Sequence, residues 1–186
     1  MNVSLPSLDY EAMFDALFPG FFARDFIRSL PKDDVSCEMV LPLSDYKDSG
    51  TPDALPQEVR FGFYKGPSAP LLQAVGTVDE GWIQYFTKTE RCYCATLGDQ
   101  VLSFCIVDEI GSFGGLRVGG PGCVGTVPAF RRRGIGLELV RRATLILKER
   151  GFDLSYIHYT HVDKWYERLG YQTVLRWNAE GFVCLP

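Results

Sequence analysis

The sequence has no apolar run long enough to cross a bilayer, and its first residues, Met-Asn-Val-Ser-Leu-Pro, lack the basic-then-apolar order of a secretory signal. A cytoplasmic protein without a membrane partner is expected. Positive charge is also scarce: 19 Lys and Arg against 23 Asp and Glu leave a net charge of -4. That balance excludes the broad basic surface that binds nucleic acid by counterion release. Histidine is scarcer still, present only as His158 and His161. The six cysteines, Cys37, Cys92, Cys94, Cys105, Cys123 and Cys184, contain no Cys-x-x-Cys pair. Neither a disulfide framework nor a metal site is expected of them, and several sit in apolar runs where a small buried thiol packs well. Internal repeats and low-complexity segments are absent. What remains is 46% hydrophobic and 13% aromatic over 186 residues. That is enough to bury a full core, and one domain spanning residues 1–186 is the simplest outcome.

The most informative stretch runs from Cys123 to Arg150. It reads as a short β-branched strand, a stop at Pro128, a basic turn with two glycines, and a long amphipathic helix. This order makes an anion site. Gly134 and Gly136 let the backbone approach a ligand, and the unpaired N–H groups and positive dipole end of the helix favour phosphate or pyrophosphate. Arg131, Arg132 and Arg133 add local charge to an acidic protein, which suits a small polyanion better than DNA. Arg141 to Arg150 are expected on a solvated helix face.

Elsewhere the pattern alternates between helix and strand. Residues 9–30 read as one or two helices, broken near Pro19-Gly20, with an aromatic face from Tyr10 to Phe22. Glu38 to Leu43 is a short strand, 45–56 a loop, and Val59 to Tyr64 a half-buried strand. Ala69 to Phe86 reads as one helix. Cys92 to Leu97 and Val101 to Val107 form a hairpin around Gly98-Asp99. Asp108 and Glu109 end its second arm, and Gly111 to Gly122 is read as a glycine-rich loop with bulge positions. After the helix closed by Gly151, Leu154 to Tyr159 is a strand parallel to Cys123 to Val127. A short helix Val162 to Leu169 follows, then strands Tyr171 to Trp177 and Phe182 to Leu185.

These residues resemble the GNAT acetyltransferase superfamily. Its acyl-CoA signature, Gln or Arg, two residues, Gly, any residue, then Gly or Ala, is matched by Arg131-Arg132-Arg133-Gly134-Ile135-Gly136. Val-Gly-Thr-Val-Pro-Ala-Phe just before it is similar to the family's fourth strand and its Pro turn. Trp165-Tyr166-Glu167-Arg168-Leu169-Gly170-Tyr171 is similar to the family's late helix. The resemblance covers roughly Arg91 to Trp177, and residues 1–55 form an N-terminal helical extension of unassigned role. It implies a mixed, mostly antiparallel α/β sheet of six or seven strands with helices on both faces.

The resemblance further implies an N-acetyltransferase that uses acetyl-CoA, without a metal, to acetylate a primary amine on a small molecule or peptide. Gly125, Thr126 and Val127 would offer backbone groups to the pantetheine arm and acetyl carbonyl. Arg131 and the N–H groups of Arg132, Arg133, Gly134, Ile135, Gly136 and Leu137 would hold the pyrophosphate, the backbone mattering more than the arginine side chains. Tyr166 would donate a proton to the departing thiolate.

Two departures stand out. Many members carry an Asn near the position of Thr160 and His161, and many place a Glu on the fourth strand as general base, whereas Cys123 to Val127 holds no acid. Asp108, Glu109 and His161 are the candidate bases in its place, and His158 with His161 is read as a surface pair. An acyl-CoA-binding sensor that has lost catalysis is the alternative, and a homodimer is left open.

Overall fold

The computed structural model describes residues 8–44, 46–48, 50, 55–56 and 58–183. Half of the loop expected at 45–56, the end of the last strand and Cys184 lie outside them. Eight strands form one hydrogen-bonded sheet: β1 (Ser36–Pro42), β2 (Arg60–Phe63), β3 (Cys92–Leu97), β4 (Gln100–Phe113), β5 (Leu116–Thr126), β6 (Leu154–Thr160), β7 (Gln172–Asn178) and β8 (Gly181–Val183). Their order is β2-β3-β4-β5-β6-β1-β7-β8. The parallel neighbours are β5 and β6, joined by helix α4 (Ile135–Glu149) as a β-α-β crossover requires. The expected sheet is therefore extended by one or two strands. The described chain divides into two compact units, within 1–47, 109–119 and 150–186, and within 48–108 and 120–149.

In the first unit, β1 is buried at all seven positions, as a central strand paired with β6 and β7 must be. Helix α1 (Tyr10–Leu17) is capped by the Asp9 carboxylate, which accepts from Ala12 N–H at 3.0 Å. Its break at Pro19-Gly20 appears as expected, followed by a 3-10 turn at Phe21–Ala23 and helix α2 (Asp25–Arg28). Met13 packs on Val40, Val118, Leu154 and Tyr156, while Phe14 and Phe21 pack with Leu175 and Trp177. The aromatic face thus belongs to the core of its own unit.

In the second unit, β2 and β3 carry helices on opposite faces. Leu71 and Val75 of helix α3 (Ser68–Gly76) pack with Cys92, Cys94 and Phe104. On the other face, Arg142 of α4 lies over the Phe61 ring at 4.6 Å. The single helix expected over 69–86 is two pieces. Thr77 closes α3, its hydroxyl donating to Ala74 O at 2.7 Å, and Asp79 opens a 3-10 segment at Glu80–Thr87 by accepting from Gly81 N–H at 2.8 Å. Val78, Trp82, Ile83 and Phe86 still join the same cluster. Their spacing identified a buried face, and the two polar side chains interrupt the helix beneath it.

Two further expectations are corrected. Strand β4 does not end at Asp108–Glu109 but continues to Phe113, and Gly114-Gly115, at φ +57° and +81°, turn it tightly into β5. Gly111 to Gly122 is consequently mostly strand. Arg141, expected on a solvated face, is buried. It donates to Glu138 Oε2 at 2.6 Å and to Asp48, and Arg142 adds a bond to Glu138 Oε1 at 2.6 Å.

Glu138 is 0% exposed. Burial alone would raise its pKa, but the bonds from Arg141 and Arg142 outweigh it and hold the carboxyl below its usual range. Because the folded-state pKa is depressed, the stabilisation is complete above the unfolded value of about 4.3 and is lost as pH falls through the folded value. Glu138→Gln should destabilise the protein by about 3 kcal/mol near neutral pH, since it strands a buried guanidinium. In urea unfolding, the wild-type and variant stabilities should converge as pH falls below about 4.

Candidate functional site

A candidate anion site is built where β5 runs into α4, within the second unit. Gly125 has no room for a side chain: a Cβ there would lie 2.3 Å from Cζ of the Phe104 ring. Ser103, fully buried, donates from Oγ to Gly125 O at 2.7 Å and stands 2.9 Å from Thr126 Oγ1. Val127 N–H donates to Leu102 O at 2.9 Å. Arg131 Nε donates to Thr126 O at 3.1 Å. Gly125, Thr126 and Val127 are therefore held in place by β4 and the following loop, with a second lone pair left on each bonded carbonyl.

Pro128–Phe130 forms a 3-10 turn, and the loop then takes left-handed backbone at Arg132 (φ +62°) and Gly134 (φ +77°) before α4 begins. Glu138 N–H donates to Gly134 O at 3.0 Å, which makes Gly134 the helix cap. The N–H groups of Arg132, Arg133, Gly134, Ile135, Gly136 and Leu137 have no acceptor among the described residues. Together with the dipole of a 15-residue helix they form a cradle of donors for an anion. The side chains face other tasks: Arg133 donates from Nη2 to Ala129 O at 3.2 Å and lies 5.5 Å from the Phe130 ring centroid. The loop's arginines thus shape the loop, and the backbone is what it presents.

Tyr166 belongs to the first unit, in helix α5 (Asp163–Glu167). It is 6% exposed and packs edge-on against Trp165 and Tyr171 at 4.8 and 5.9 Å between ring centroids. Asp163 fastens α5 to β7 by accepting from Arg176 Nη2 at 2.8 Å. Tyr171, in turn, shares a 2.7 Å hydrogen bond with Ser155 Oγ on β6.

The acids and histidine proposed as bases all have other partners. Asp108 pairs with Arg91, and Glu109 with Arg117 at 3.3 Å. His161 meets Asp34 Oδ1 at 2.9 Å and Ser36 Oγ at 3.0 Å, both through Nε2. Because serine and carboxylate share one ring nitrogen, they do not form a nucleophile relay. His158, read as half of a surface pair, is instead half-buried and bonded through Nδ1 to the fully buried Glu38 at 2.9 Å. The signal available in the sequence was a lone acid heading the apolar run Glu-Met-Val-Leu-Pro-Leu.

The five described cysteines are unpaired thiols. Burial pushes Cys92 and Cys123 up to about 11 and Cys94 and Cys105 higher, so they are inert packing residues at neutral pH. Among the described residues no group of three His, Cys, Asp or Glu side chains stands together as a metal site. None of the described helices is long and apolar enough to cross a membrane.

Residues 88–173, from the start of β3 through α5 into β7, match the family model described as an acetyltransferase (GNAT) domain. That stretch, a little under half of the chain, is similar to a GNAT domain. No curated protein matches the chain in sequence. Among solved structures it is similar to the glucosamine N-acetyltransferase region of a fungal multidomain GH3 β-N-acetylglucosaminidase. That likeness has 24% identity and a TM-score of 0.66, and covers 77% of this chain and 20% of that one. GCN5-related N-acetyltransferases of Sphaerobacter thermophilus and Kribbella flavida are each 17% identical with TM-scores of 0.55. They cover 76% and 83% of this chain and 49% and 60% of theirs. At these identities the likeness concerns the GNAT fold alone, and the chain spans between a fifth and three fifths of these proteins' lengths.

Gly125→Ala should lower stability by about 1–3 kcal/mol, because the Phe104 ring must move to admit the methyl group. In a double-mutant cycle by urea unfolding, Phe104→Leu combined with Gly125→Ala should cost less than the sum of the single losses. Additive losses would show that the collision is relieved elsewhere.

Proposed function

We propose that this protein is an acetyl-CoA-dependent N-acetyltransferase acting on a primary amine of a small molecule or peptide. The observation that carries the proposal is the run of N–H groups from Arg132 to Leu137, at the head of α4, that have no acceptor among the described residues. A run of six donors and a helix dipole suit a pyrophosphate, and a side chain at Gly134 would be strained by its φ of +77°. Acetyl-CoA supplies an activated thioester, and the chain must hold it, accept an amine free of its proton, and reprotonate the leaving thiolate.

In this proposal Arg131 braces the loop, while the backbone of Arg132, Arg133, Gly134, Ile135, Gly136 and Leu137 holds the pyrophosphate. Gly125, Thr126 and Val127 position the pantetheine arm and the acetyl carbonyl. Tyr166 serves as the acid: its phenol donates to the sulfur as the C–S bond breaks. The acidic balance of the protein favours amine acceptors. Amino sugars head the panel to be tried, given the glucosamine N-acetyltransferase region among the structural relatives.

A second function, acyl-CoA sensing without catalysis, is favoured by one observation: β5 from Leu116 to Thr126 contains no carboxylate to act as base. One assay separates the two. Incubation with acetyl-CoA and an amine panel should release free thiol in an amine-dependent manner. Tight acetyl-CoA binding with background hydrolysis only would establish the sensor. Tyr166→Phe should reduce kcat on the order of 10²-fold with acetyl-CoA affinity unchanged, and an unaltered kcat would remove Tyr166 from the chemistry. Gly136→Asp places a carboxylate against the pyrophosphate and should weaken acetyl-CoA binding by about tenfold or more.

A further inference from the structure

The second unit has an open groove on the sheet face turned away from α4, and no residue of the anion loop lines it. Strands β2 and β3 pair in unbroken register, Arg60 with Thr96 and Gly62 with Cys94. Side chains alternate along a strand, so Arg60, Gly62 and Tyr64 share a face with Cys94 and Thr96. That is the face of α3, since Cys94 packs with Leu71 and Val75, whereas Phe61 looks the other way, under Arg142. The groove on it measures about 490 Å³, within the range of small-molecule sites.

One residue opens the floor. Neither a positive φ nor a close neighbour calls for glycine at 62, and a Cβ there would meet no atom within 4 Å. A glycine inside a strand that neither backbone nor packing requires leaves room for a ligand to lie against the sheet. The side wall is apolar. Tyr64 is folded under the turn that follows it: its hydroxyl donates to Pro67 O at 2.8 Å, and a Cβ at Gly66 would fall 2.7 Å from that oxygen. Pro70 stands in the first turn of α3, where a missing N–H costs no helix bond, and lines the groove with Tyr64 and Pro67. Burial pushes the Cys94 thiol far above its ordinary pKa, so the floor carries no charge.

Charge enters where the β3–β4 turn meets the start of β2. Arg60 and Asp99 line the same groove, and neither side chain has an ion pair or hydrogen bond among the described residues, with the other or with a third group. Thr96, the register partner of Arg60, adds a hydroxyl that is likewise without a partner among the described residues. Opposite charges that share a groove without meeting are satisfied together by a ligand that carries both signs. Asp99 opposes a plain anion and Arg60 a plain amine, whereas a zwitterion is matched at both. Lys65 also lines the groove but lies roughly 16 Å from Arg60 along the extended chain, too far to share one carboxylate.

We propose that this groove binds a free amino acid with a flat, apolar side chain. Its carboxylate meets the Arg60 guanidinium, its ammonium meets the Asp99 carboxylate, and its ring lies over Gly62 against Tyr64 and Pro70. The site is separate from the anion loop and does not depend on the acetyltransferase proposal.

Calorimetric titration with L-phenylalanine, repeated on ¹⁵N-labelled protein to follow the amides, tests it. Binding should saturate, with the Gly62, Cys94, Thr96 and Asp99 amides moving together. Phenylpropionate, which lacks the ammonium, and phenethylamine, which lacks the carboxylate, should each bind about tenfold more weakly or worse. Arg60→Gln and Asp99→Asn change exposed side chains, so both should keep the wild-type Tm while each weakens L-phenylalanine by about tenfold or more. Gly62→Leu should abolish binding by filling the floor; if that variant does not fold, the two charge variants decide alone. Absence of saturable binding at millimolar L-phenylalanine, equal affinity for either singly charged analogue, or an affinity unmoved by either charge variant would overturn the proposal. Because no readout uses acetyl-CoA or turnover, its failure is separate from failure of the acetyltransferase proposal.

Discussion

An α-helix cannot bond its own first N–H groups, and here the donors without an acceptor among the described residues extend back through the loop to Arg132. Everything around that loop serves to keep the donors in place and open. Left-handed backbone at Arg132 and Gly134 bends the chain into the start of α4. Arg131 and Arg133 bond back to Thr126 and Ala129, so the turn is braced by its own side chains. One turn into α4, Glu138 binds Arg141 and Arg142 and, through Arg141, the segment at Asp48. A buried charge network so close to the helix start resists fraying at the place where the ligand would pull.

The same economy governs the strand that leads in. Phe104 fills the space over Gly125, and Ser103 fastens the Gly125 carbonyl. Position 125 is thus fixed from two sides, by an aromatic ring that excludes a side chain and by a hydroxyl that orients the backbone. The first unit solves a different problem, placing a carboxylate inside a sheet. Three donors, two register shifts and a strained tyrosine, Tyr159 at φ +54°, surround Glu38.

The strand, turn and helix from Cys123 to Arg150 were legible because their signals are local. A Pro stop, paired glycines and an amphipathic helix sit consecutively, and the physics of a helix N-terminus needs no long-range contact to be recognised. The β3–β4 hairpin and the burial of Leu71, Val75 and Phe86 also followed from local pattern. Continuity was harder to see. Periodicity reports which face is buried, and it is blind to Thr77 and Asp79 ending one helix and opening another. Glycines between Gly111 and Gly122 resemble a loop by composition, yet strand pairing overrode propensity. Glu38 and His158 are 120 residues apart. Only the pairing of β1 with β6 brings them together, and that pairing is a non-local outcome.

The central claim is that the backbone from Arg132 to Leu137 holds the pyrophosphate of acetyl-CoA. Backbone amide resonances of ¹⁵N-labelled protein, followed during titration with acetyl-CoA, test it most directly. The account predicts that the resonances of Arg132 to Leu137 move downfield together and saturate with the binding isotherm, as amides do on meeting a phosphate. Saturable acetyl-CoA binding that leaves these six amides unmoved would contradict it.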